Sequence, residues 1–169
     1  MNLRKLSDFL CIKFILLRSL IKGSKAEEKG CKVYFDPTTG LNENEWFLMF
    51  NLNINIRGSL SPPLSALFPG RSFCDVLVCY KNADTPVKIC LIELKSRTDM
   101  KKITKQLEQT YRFLKEKKLF QTKCKCMYHF LYVSRVASPK SKSKNYLEIE
   151  GERYTVKSIT HGDLRTFLR

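Results

Sequence analysis

Beyond residue 46 the spacing of apolar and polar positions changes period twice. Leu48, Phe50, Leu52, Ile54 and Ile56 alternate with Met49, Asn51, Asn53, Asn55 and Arg57, and such near-strict alternation predicts a strand with one face on a core and one polar. Residues 73–80 and 87–95 are instead almost continuously apolar, as strands covered on both faces are, and the short turn between them predicts an antiparallel hairpin. The period then lengthens. Met100, Ile103, Leu107, Tyr111 and Leu114 recur at helical spacing behind Asp99, which can cap a helix running to about residue 118. Residues 127–134 return to a strand, and a helix between two strands permits the right-handed crossover that makes them parallel.

The flanks are less regular. Leu6, Phe9, Leu10, Phe14, Leu17, Leu20 and Ile21 recur with polar residues between them, which predicts an amphipathic helix capped by Ser7 or Asp8 and ending near residue 28. Lys13, Arg18 and Lys22 break up its apolar run and no small-residue cleavage site follows, so neither a signal peptide nor a membrane span is expected. Residues 36–40 read as a Pro/Gly turn, 59–70 as a proline-containing loop and 138–144 as a basic loop. Residues 146–149 and 153–158 predict a hairpin around Glu150-Gly151, and a short helix follows Gly162. With no repeat and no linker, residues 1–169 are expected to form a single domain.

Composition narrows the partners. Thirty-one Lys and Arg against 16 Asp and Glu give a net charge of +15, which calls for a polyanion, nucleic acid first and an acidic membrane face second. Cysteines number seven, an odd count; Cys11, Cys79 and Cys90 fall inside apolar runs, where a thiol packs as a small hydrophobe. A reduced, cytoplasmic protein is therefore expected. Cys124 and Cys126 have no second Cys or His pair at structural-zinc spacing, and His129 is an isolated neighbour.

The chemistry gathers at Glu93-Leu94-Lys95, the end of the third strand. Strand alternation turns Glu93 and Lys95 to one face and Leu94 into the core. If the strand carrying Asp75 lies alongside, two carboxylates and an ammonium converge, and oxygen ligands of that kind suit a hard divalent cation.

A helix, three strands, a second helix and a fourth strand, with Asp75 on the second strand and Glu93-Leu94-Lys95 on the third, resembles the PD-(D/E)XK nuclease superfamily. That resemblance implies an α/β fold with a restriction-endonuclease-like core (αβββαβ), a mixed central sheet flanked by helices. It implies a magnesium-dependent nuclease, with manganese as a substitute ion, acting on DNA in preference to RNA. Asp75 and Glu93 would be the metal ligands and Lys95 the group that positions the attacking water. Gln106, on the helix after the lysine, matches a glutamine that often reaches the site; Gln109 lies further round. Glu27 or Glu28 would stand for a further glutamate on the first helix. Cys74 occupies the position of the proline that gives the motif its name. Family analogy also allows a homodimer.

Arg71, Lys101, Lys102 and Lys105, with Lys115, Lys117, Lys118, Lys140, Lys142 and Lys144, are candidates for a phosphate-binding surface. Trp46, Tyr80 and Tyr128 are expected in the core, and His129 and His161 in structural roles. Two other readings are a catalytically inactive nucleic-acid-binding or interaction protein of the same fold, and membrane-surface association through the N-terminal helix.

Overall fold

The computed structural model describes residues 10–12, 20–21, 25–28, 30–35, 41, 45–54, 62–82, 85–95, 99–118, 120–122, 125–134, 146–159 and 162–168. Its centre is a mixed six-stranded sheet built from β4 (Trp46–Asn51), β5 (Val76–Lys81), β6 (Val87–Lys95), β8 (Cys126–Ser134), β9 (Tyr146–Ile149) and β10 (Glu152–Ile159). The order across the sheet is β4-β5-β6-β8-β10-β9. The pairs β4–β5, β5–β6 and β10–β9 are antiparallel, whereas β6–β8 and β8–β10 are parallel. Two small two-stranded sheets accompany it: β1 (Leu10–Ile12) with β7 (Phe120–Thr122), and β2 (Lys25–Glu28) with β3 (Cys31–Tyr34).

The central strands are apolar on both faces because both faces are covered. On one side α2 (Met100–Glu116) lays Ile103, Leu107, Tyr111 and Leu114 over Val87, Ile89, Leu91 and Phe130. On the other, Ala26, Cys31 and Val33 of the β2–β3 hairpin pack with Leu164 and Leu168 against Val76, Val78, Cys90, Ile92, Leu131 and Val133. Leu168 belongs to α3 (Arg165–Leu168), the short closing helix. Asp99 caps α2 as its sequence indicates, its carboxylate accepting the N–H of Lys102 at 3.2 Å. The β9–β10 turn places Glu150 at φ 54° and Gly151 at φ 81°, the paired positive values of a tight hairpin turn that matches strand twist. Trp46 and Tyr80 lie in the core and Tyr128 packs against it, as expected.

Several expectations are corrected. The predicted helix over residues 8–28 gives way at both ends that are described: Leu10–Ile12 pairs with β7 and Lys25–Glu28 pairs with β3. Helix-forming residues in Lys25–Glu28 are overridden because the antiparallel ladder with β3 pairs one edge of the strand while Ala26 enters the core. Residues 13–19 and 22–24 lie outside the described residues, and so do the turn at 36–40, the basic loop at 138–144 and His161.

The first long strand stops at Asn51 although the alternation runs to Ile56. The Asn51 side chain donates to Ile54 O at 2.9 Å and accepts from Ile54 N–H at 2.8 Å, folding the chain back on itself as Asn does in turns. Nor is one face of β4 polar, since Met49 and Asn51 are buried beneath the hairpin side of the core. The loop at 59–70 contains a four-residue helix, α1 (Leu64–Leu67). The succession β4, β5, β6, α2, β8 stands as the sequence predicts, and no helix among the described residues is long and apolar enough to cross a membrane.

Candidate metal centre

β6 delivers Glu93 and Lys95 to the face that α2 covers, because they continue the alternation of Val87, Ile89 and Leu91 while Leu94 joins the opposite core. The two side chains meet as an ion pair, with Glu93 fully buried and Lys95 about a quarter exposed. Glu93 Oε2 has no hydrogen-bond donor among the described residues.

Asp75 lies one residue before β5 rather than within it. Val76 pairs with Ile92, and continuing that antiparallel register sets Asp75 opposite Glu93. Every backbone group of Asp75 is held: its N–H donates to Ile92 O at 3.1 Å, and its carbonyl accepts from Leu52 N–H at 2.9 Å and Asn53 N–H at 3.3 Å. Its carboxylate Oδ2 accepts the N–H of Leu94 at 2.7 Å, the residue between Glu93 and Lys95. The two carboxylates are thus locked to one another through the backbone of β6.

Electrostatics follow from that geometry. Burial, and then the neighbouring Glu93 charge, push Asp75 up to about 8, against which the Leu94 N–H and Lys95 pull only partly. Burial likewise raises Glu93, with Lys95 opposing. For Lys95 burial acts downward, but Glu93, Asp75 and Glu28 outweigh it and hold the ammonium above its ordinary value. Below about pH 8 Asp75 therefore keeps a proton while Lys95 balances Glu93, and a cation that bound both carboxylates would take the place of that proton.

Glu28 is the residue that the sequence left undecided against Glu27. In β2, Glu27 points to solvent and pairs with Lys25 at 2.9 Å, whereas Glu28 is half-buried and close enough to raise the pKa of both Asp75 and Glu93. It arrives on a strand, not on the expected helix. The signal that separates them is the two-residue period, with Ala26 and Glu28 inward and Lys25 and Glu27 outward; four residues are too short a run for that period to be legible.

Gln106 is buried on α2 and donates from Nε2 to Phe73 O at 3.2 Å, while its Oε1 has no partner among the described residues. Gln109 is exposed. Lys101, Lys102 and Lys105 are exposed on the first turns of α2, which starts a few residues of chain beyond Lys95. Arg71 does not join them: it is exposed and acts on Glu116 at the opposite end of the helix, about 16 Å along the axis from Lys105. Lys115 sits over the Tyr111 ring and Lys117 pairs with Glu116. His129 lies on the other face of the sheet, edge-on to Phe167, and burial together with Lys88 and Lys157 lowers it to about 4.

Among the described residues no three His, Cys, Asp or Glu side chains form a ready-made metal-binding group. The donor set that is present, Asp75 and Glu93 with Glu28 nearby, fits an ion that binds through one or two carboxylates and keeps several waters, which is the habit of magnesium. Softer ions that prefer thiolate or imidazole have no ligand here: Cys74, although adjacent to Asp75, is fully buried and its thiol contacts Val76 O at 3.7 Å. Comparison with known proteins yields no match: no family model fits the sequence, and no curated protein or solved structure resembles it significantly.

Proposed function

We propose that this chain is a magnesium-dependent phosphodiester hydrolase of nucleic acid, with DNA favoured over RNA, built on a restriction-endonuclease-like core. The observation that carries the reading is the buried pair Asp75 and Glu93, held in register with Lys95 at the ends of β5 and β6. Burying two carboxylates side by side costs stability unless a proton or a cation compensates; Lys95 answers Glu93, and a divalent ion could replace the proton that Asp75 keeps below about pH 8. Glu93 Oε2 is buried with no hydrogen-bond donor among the described residues, which leaves it open to a cation.

A magnesium ion held by Asp75 and Glu93, with manganese able to replace it, would supply Lewis acidity and lower the pKa of a coordinated water. The chain's own part is orientation and charge. Lys95, on the same face as Glu93 and a quarter exposed, can turn its ammonium toward a phosphate oxygen or an attacking water and stabilise the negative charge that develops. Lys101, Lys102 and Lys105 on the neighbouring helix start offer a phosphate-binding edge, and the net charge of +15 favours a polyanion generally.

A second reading has one observation in its favour. The Lys95 ammonium already meets Glu93, so a lysine can serve as the cation of an inactive nucleic-acid-binding protein of the same fold. One assay separates the two: purified protein with magnesium against labelled linear, branched, flap and single-stranded DNA and RNA, beside Lys95→Ala. The nuclease reading expects cleavage by the parent and none by the variant, with the fold retained by circular dichroism. Binding without cleavage in magnesium or manganese selects the second reading.

A further inference from the structure

The buried stripe of α2 is apolar except at two positions one turn apart, Gln106 and Thr110. Both reach the same short stretch of chain, the residues that lead into Asp75. Thr110 Oγ1 accepts the N–H of Cys74 at 2.7 Å and donates to Gln106 O at 2.7 Å, which fixes the orientation of its hydroxyl. Gln106 Nε2 donates to Phe73 O at 3.2 Å. Phe73 and Cys74 are completely buried and precede the strand ladder, so these backbone groups depend on α2 for their partners.

We propose that Thr110 and Gln106 are positioning residues that clamp residues 73–74 to α2 and so fix where the Asp75 carboxylate stands relative to Glu93. The inference rests on the metal-binding reading of that pair and extends it to a residue that touches neither carboxylate. Asp75 is already tied on its far side to Ile92, Leu94 and Leu52; the clamp supplies the restraint on the near side. Without it the segment could shift along α2 while the ladder of β5 remained intact. Partners that orient a metal ligand commonly change affinity or activity by about 10–100-fold when removed.

The test needs no substrate. Manganese binding to the full-length protein is measured by calorimetry for the parent, Thr110→Val, Thr110→Ser, Gln106→Met and Val156→Ala. Val156→Ala thins the same core at β10, away from Asp75, and controls for general loosening. The clamp predicts about 10-fold or greater weakening in Thr110→Val and Gln106→Met, recovery in Thr110→Ser, and parent-like binding in Val156→Ala. Gln106→Met keeps the side-chain length and leaves only a carbonyl unpaired, so it reports even if Thr110→Val does not fold. Parent-like binding in Thr110→Val and Gln106→Met, or equal weakening in Val156→Ala, overturns the clamp and leaves the metal reading standing. No manganese binding by the parent overturns both.

Discussion

Replacing Asp75 by Asn is expected to make the metal-free protein more stable, increasingly so as pH rises. Asn is nearly isosteric and retains an oxygen to accept the Leu94 N–H, so the 2.7 Å bond survives while the charge is removed. In the folded parent Asp75 titrates at about 8 against an ordinary 3.8. A carboxyl with a raised folded pKa binds more protons in the native state than in the denatured one; its stability is complete below the ordinary pKa and is lost as pH climbs through the folded value. Each pH unit in that window is worth about 1.36 kcal/mol, so the parent loses on the order of 4 kcal/mol between pH 4 and pH 7. Because Glu93 raises Asp75 and is itself raised by burial, part of that loss belongs to the pair. Urea unfolding of parent and Asp75→Asn in EDTA from pH 4.5 to 8.5 measures it, provided the slopes m stay equal. The stability difference should open toward high pH and level off near pH 8. A constant difference, or a variant less stable than the parent at pH 8, would show that burial does not raise the Asp75 carboxyl.

Magnesium should restore to the parent what high pH removes: at 100 times its dissociation constant it adds about 2.7 kcal/mol, read as a rise in melting temperature that Asp75→Asn lacks. Exchanging Lys101, Lys102 and Lys105 for Gln should lower DNA affinity and flatten its dependence on salt, by about 0.9 in logarithmic slope for each phosphate no longer neutralised; an unchanged slope removes these lysines from the interface. Gly162→Ala should destabilise well beyond Gly151→Ala, because a Cβ at Gly162 would come within 1.8 Å of Lys32 O whereas one at Gly151 meets open space. Only the backbone penalty of about 1 kcal/mol should apply at Gly151, and equal melting temperatures for the two variants would contradict the tight seat of Gly162 on β3.

The parts of the chain legible in sequence are those where one local signal agrees with the tertiary outcome. Val87–Lys95 is long, apolar and followed by a capped amphipathic helix, so strand, face and crossover all follow, and the same-face placement of Glu93 and Lys95 follows with them. The β9–β10 turn is legible because Glu150-Gly151 can adopt two positive φ values in succession. The N-terminal region misleads because its apolar spacing is satisfied by a helix, while the partners that make Leu10–Ile12 and Lys25–Glu28 strands lie at Phe120–Thr122 and Cys31–Tyr34. A cross-strand partner over a hundred residues away, as Leu10–Ile12 has, leaves no mark on local periodicity. Glu28 stayed undecided for a different reason: its four-residue strand is too short for a two-residue period to show. Gln106 was legible as a border residue of the α2 stripe, yet its bond to Phe73 O was not, since what a buried amide meets depends on the facing chain.

The most direct measurement is anomalous diffraction from crystals soaked in manganese. A manganese peak is expected between Asp75 and Glu93, within about 2.5 Å of a carboxylate oxygen of each, with the Lys95 ammonium displaced from its contact with Glu93. Crystals that bind manganese elsewhere or not at all, with Lys95 still paired to Glu93, would contradict the claim that this carboxylate pair is a metal site.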